Sequence, residues 1–82
     1  MTDTARDEAI REENRKVRRL QFVVDLVTSV LWQSEIPLEE AQEMVSATRR
    51  YALQLFPDKE LTYELLYQSR FDRLLREKFR II

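Results

Sequence analysis

An 82-residue chain with 44% hydrophobic and 35% charged side chains is long enough for one small core and too short for two. It contains no histidine, cysteine or glycine. Those absences exclude imidazole bases and HExxH or Glu-x-x-His metal sites, disulfides, thiolate nucleophiles and zinc fingers, and all glycine-dependent phosphate loops and nucleophile elbows. Fourteen basic against fifteen acidic residues leave a net charge of −1, which gives no global bias toward nucleic acid or an anionic membrane.

Two prolines, Pro37 and Pro57, punctuate the chain and separate three long segments of helix-forming residues. The pattern predicts an all-α fold: an up-down-up three-helix bundle with helices over 5–34, 37–56 and 59–80, forming a single domain over 1–82 with residues 1–4 as a flexible lead. Pro37 is expected at the first position of the second helix and Asp58 as the N-cap of the third. The charge order agrees, since Glu39, Glu40 and Glu43 open the second helix and Asp58, Glu60 and Glu64 the third, while arginines gather late in both.

The first segment is unusual in two ways. Over 20–31 apolar residues cover most of the helical circumference, which predicts burial against more than one neighbour and leaves a polar ridge of Arg18, Gln21, Asp25, Thr28 and Ser29. Ahead of that stretch runs a thin seam in which Ile10, Val17, Val24 and Leu31 recur every seven residues, with Leu20 and Val27 between them and Glu13 as its one interruption. Thirty residues of helix are about 45 Å long, against about 30 Å for each of the others, so the first turns overhang the bundle. Something must then cover Ile10 and Val17.

The second segment has the cleanest periodicity: Leu38, Ala41, Met44, Val45, Thr48, Tyr51, Ala52, Leu55 and Phe56 fall on one face. The third carries apolar residues on two arcs, with Tyr63, Tyr67 and Phe71 stepping by four, and it also asks for two neighbours. Its end, Phe79-Arg80-Ile81-Ile82, is an apolar terminus that calls for cover.

Candidate chemistry is sparse. Arg11, Arg15, Lys16, Arg18 and Arg19 give a local charge of +3 over 11–19, the pattern of a phosphate-contacting helix. Acids one turn away, in Asp7-Arg11 and Glu12-Lys16 spacings, favour the reading as a solvated helix surface. Arg70, Arg73, Arg76, Lys78 and Arg80 repeat the +3 over 70–82, where the helix macrodipole explains them. Glu39 with Glu43 is the one carboxylate pair at i,i+4 free of cations, too little for a hard metal ion. Asp25 sits on the polar ridge, where water satisfies it.

No apolar run reaches the roughly 20 residues that span a bilayer, and residues 1–8 lack a basic segment leading into an apolar one. A cytoplasmic chain without membrane contact is expected. The functional expectation is a small non-enzymatic helical interaction or assembly module, needing no cofactor and no metal, that self-associates as a homodimer or meets a protein partner. The interface residues expected are Ile10, Val17, Leu20, Val24, Val27, Leu31, Tyr63, Tyr67 and Phe71. The competing reading is a nucleic-acid-binding regulator that uses the basic helix faces, disfavoured because each basic cluster is diluted by acids.

Overall fold

The computed structural model describes residues 2–80, of which 70 are helical, and no strand occurs among the described residues. Helix α1 spans Thr2–Gln33, α2 spans Leu38–Leu55, and α3 is built of three consecutive pieces: an α-helical turn Glu60–Tyr63, a π-helical segment Glu64–Gln68 and an α-helical segment Ser69–Phe79. Residues 2–4, expected as a flexible lead, are the first turn of α1. Met1 and the apolar terminus at Ile81 and Ile82 lie outside the described residues.

Both proline assignments shift by a residue for backbone reasons. Pro37 has ψ 157°, an extended value, so it is the N-cap of α2 and not its first helical residue. Its carbonyl accepts the Ala41 N–H at 3.1 Å, and Glu39 and Glu40 fill the first turn as the dipole favours. After α2 the chain turns tightly, with the Lys59 N–H donating to the Phe56 carbonyl at 3.1 Å across Pro57 and Asp58. That turn makes Lys59 the N-cap of α3, and Asp58 does not cap it.

Helix α2 is the centre of the packing. Its buried stripe Ala41, Val45, Thr48 and Ala52 follows steps of four, three and four, and the two alanines let neighbouring helices come close. The Thr48 hydroxyl, buried in this stripe, donates to the Met44 carbonyl at 2.8 Å and is thereby satisfied inside its own helix. Leu20, Val24 and Leu31 of α1 and Tyr63, Phe71, Leu74 and Leu75 of α3 complete the core.

Two contacts fix the helix directions. Near the end of α2, Arg49 pairs with Glu60 at 2.5 Å and with Glu64, both at the start of α3. At the opposite end, the Lys78 ammonium, late in α3, donates to the Leu31 carbonyl and to the Ser34 carbonyl at 2.6 Å, both where α1 ends. Helices α1 and α3 therefore point the same way and α2 runs against them. The last carbonyls of a helix have no partner within it, and a cation from another helix satisfies two of them here.

The π segment explains the two arcs of α3. The Ser69 N–H donates to the Glu64 carbonyl, five residues back, and a turn of this kind sets the following residues back by about one position, roughly 100° of helix phase. Phe71, Leu74 and Leu75 thereby rotate toward the side that Tyr63 already faces. The Ser69 hydroxyl donates at 3.0 Å to the Leu65 carbonyl, the group that its own amide would serve in a regular helix.

Helix α1 outruns its partners. The principal dimensions are 55 × 22 × 16 Å and the radius of gyration is 15.4 Å, against about 12 Å for a compact chain of this length. Its early turns from Thr4 to Arg15 are exposed throughout.

Candidate functional site

Helices α1 and α3 both rest on α2 but approach each other less closely, so a furrow runs between them on the face away from α2. Its lower part, about 380 Å³, is walled by Val17, Leu20 and Gln21 of α1 and by Tyr63, Leu66 and Tyr67 of α3, with Ala52 and Phe56 as floor. Its upper part, about 200 Å³, lies between Val24, Thr28 and Trp32 on one side and Arg70, Phe71, Arg73 and Leu74 on the other. Tyr67 lines both parts, which makes them one groove. A third, more polar depression forms where Glu12, Glu13 and Lys16 cross the turn at Pro57 and Asp58.

The expected interface residues divide into two groups. Leu20, Val24, Leu31, Tyr63 and Phe71 are buried in the core of the single chain, and Val27 and Tyr67 are half-buried against it. Ile10 and Val17 are exposed at 50% and 37%. The heptad seam is therefore real as a line on α1, but α2 and α3 occupy it from Leu20 upward and leave its first two members open.

Six further large apolar residues outside the expected interface set are exposed among the described residues. Phe22 and Leu26, one turn apart on α1, are exposed at 68% and 53%; Leu61 and Leu65 on α3 are more than two-thirds exposed, and Leu66 rims the groove. The apolar circumference over 20–31 predicted burial on several sides. In the structure, α2 and α3 cover roughly one half of it, and Phe22 and Leu26 lie on the other. Trp32, half exposed, sits at the groove's upper edge.

The charged groups do not converge. In the first basic cluster Arg15 pairs with Glu12 at 3.2 Å in place of the i,i+4 pairs expected, and Arg11, Arg15, Arg18 and Arg19 share one exposed face of α1 on which Asp7, Glu8 and Glu12 are interspersed. The second cluster is split by the fold, since Lys78 turns to the end of α1 and Arg70 and Arg73 line the groove. Asp25 is exposed on the ridge, and Glu39 and Glu43 are exposed on α2. Among the described residues no three metal-ligating side chains come together, and no helix is long and apolar enough to cross a membrane.

Two side chains have perturbed acidities, each with a structural cause. Burial pushes the Tyr63 hydroxyl up to about 12, partly offset by the Arg49 charge near its ring. The hydrogen bond to Glu64 raises Arg49 above its ordinary value; desolvation opposes it, and the charges of Glu64 and Glu60 add to the rise. Tyr63 thus stays a neutral phenol at physiological pH and Arg49 a paired cation. What the site presents is apolar area bounded by a charged rim.

Comparison with protein-family models, with curated proteins and with solved structures returns no match to this chain.

Proposed function

We propose that this chain is a non-enzymatic helical module whose function is protein–protein association, and that it associates first with itself as a homodimer. The observation that carries this reading is surface area. The folded chain exposes 6530 Å², whereas a compact monomer of this mass exposes roughly 5,200 Å². The excess, about 1,300 Å², exceeds the roughly 800 Å² per partner that a standard interface removes from water. Eight large apolar side chains, Ile10, Val17, Phe22, Leu26, Trp32, Leu61, Leu65 and Leu66, are among the exposed residues.

A dimer that folds with its interface has a stability that depends on concentration. Thermal unfolding followed by circular dichroism should therefore show a midpoint that climbs by several degrees as the protein is concentrated from low micromolar upward. A midpoint independent of concentration over that range contradicts the reading.

A further inference from the structure

The groove between α1 and α3 lies where a fourth helix would complete the bundle, and the geometry points to its occupant: the first half of α1 from a second copy, laid antiparallel. This inference rests on the self-association proposed above and adds the face, the direction and the register. Four-helix packing seats each helix between two neighbours, and among the described residues no further segment of the same chain fills the seat between α1 and α3. The chain carries one helical stretch not used by its own core, the exposed turns of α1 that end in Ile10 and Val17.

Length, apolar register and charge agree on the arrangement. With Val17 on the two-fold axis, the second copy's residues 4–17 run along the groove for about 20 Å, from the level of Val17 to that of Val30. Ile10 then enters the apolar wall at the level of Val24 beside Tyr67, and because the contact is isologous each copy covers the other's overhang. The antiparallel direction brings Asp7, which lies within about 60° of Ile10 around the helix, to the upper groove, whose rim holds Arg70 and Arg73 together with Glu77. A parallel setting would carry the same acid away from that rim. The contact uses the unspent members of the seam and leaves the core of each chain intact.

The absence of native cysteine makes single-site cross-linking clean. Val17→Cys, at the axis, should form a disulfide-linked dimer nearly quantitatively under mild oxidation, whereas Phe22→Cys, on the opposite side of α1, should not. Because Val17 is exposed in the single chain, Val17→Asp should keep its helical circular dichroism while weakening dimerisation at least tenfold, as expected for a carboxylate desolvated in an apolar seam. Phe22→Asp should leave dimerisation unchanged. A wild-type dimer that resists Val17→Asp, or that cross-links through Phe22→Cys and not Val17→Cys, overturns this arrangement while self-association stands. A wild-type chain that is folded and monomeric overturns both.

Discussion

Tyr63 shows how much one side chain can report about this fold. Its hydroxyl is buried and makes no hydrogen bond among the described residues, so the group carries a desolvation cost with no return. Tyr63→Phe should therefore fold with unchanged or higher stability, by up to about 1 kcal/mol in denaturant titrations. Alkali provides a second readout. The folded chain keeps this proton up to about pH 12, while the unfolded chain releases it near 10.0, so rising pH favours the unfolded state between those values. Stability is independent of this group's titration below pH 10, falls by up to about 1.4 kcal/mol per pH unit through the window, and levels off above its upper edge. Comparing wild type with Tyr63→Phe across this window isolates the effect from the other tyrosines and the lysines. Lys78 is the converse case, a charge placed where it satisfies two carbonyls. Lys78→Met, which keeps the stem and removes the donor, should cost about 1 kcal/mol and loosen the end of α1 in hydrogen exchange.

At the scale of the element, α3 marks the boundary of what periodicity reveals. Its two apolar arcs were legible, and so was the demand for more than one neighbour. The phase change between them was not, because a π turn leaves no composition signature as distinct as proline or glycine. Ser69 is the residue that bears on it, since its hydroxyl serves the carbonyl its amide skips. Ser69→Ala should destabilise by several tenths of a kcal/mol, with hydrogen-exchange protection lost around residues 64–70 and preserved in α2. Helix α2 was readable almost completely, because one buried stripe faces one layer of neighbours. Helix α1 was readable in extent but not in partnership. A seven-residue seam looks the same whether helices of its own chain or of another fill it, and the short turns that bring α2 and α3 against Leu20, Val24 and Leu31 decide the matter. For the same reason Phe22 and Leu26 were expected to be covered: an apolar circumference signals burial without saying how much of it one chain can supply. The caps missed by a residue, since Pro37 and Lys59 differ from the expected positions only in ψ and in which carbonyl closes the turn.

For the whole molecule, shape and charge separate the interaction module from the nucleic-acid reading. The extended α1 and the open groove give an elongated chain with apolar area on several sides. The basic residues, by contrast, share the exposed face of α1 with Asp7, Glu8 and Glu12, to the last of which Arg15 is paired, and Lys78 is turned to the end of α1. A protein neutralising about six phosphates would lose roughly a thousandfold in affinity between about 50 and 200 mM salt. Each basic cluster is diluted by acids at one-turn spacing, so binding to mixed-sequence duplex or single strands should be no tighter than about 10 μM at about 150 mM salt, read by fluorescence anisotropy. Submicromolar binding abolished by Arg15→Glu with Arg19→Glu would favour the regulator instead. The central claim, that the apolar surface one chain leaves open is closed by a second copy, is tested most directly by sedimentation equilibrium of the wild-type protein at micromolar concentration. The predicted result is a species of twice the 10.0 kDa chain mass that dissociates on dilution; a fully helical species of 10.0 kDa at every concentration would contradict it.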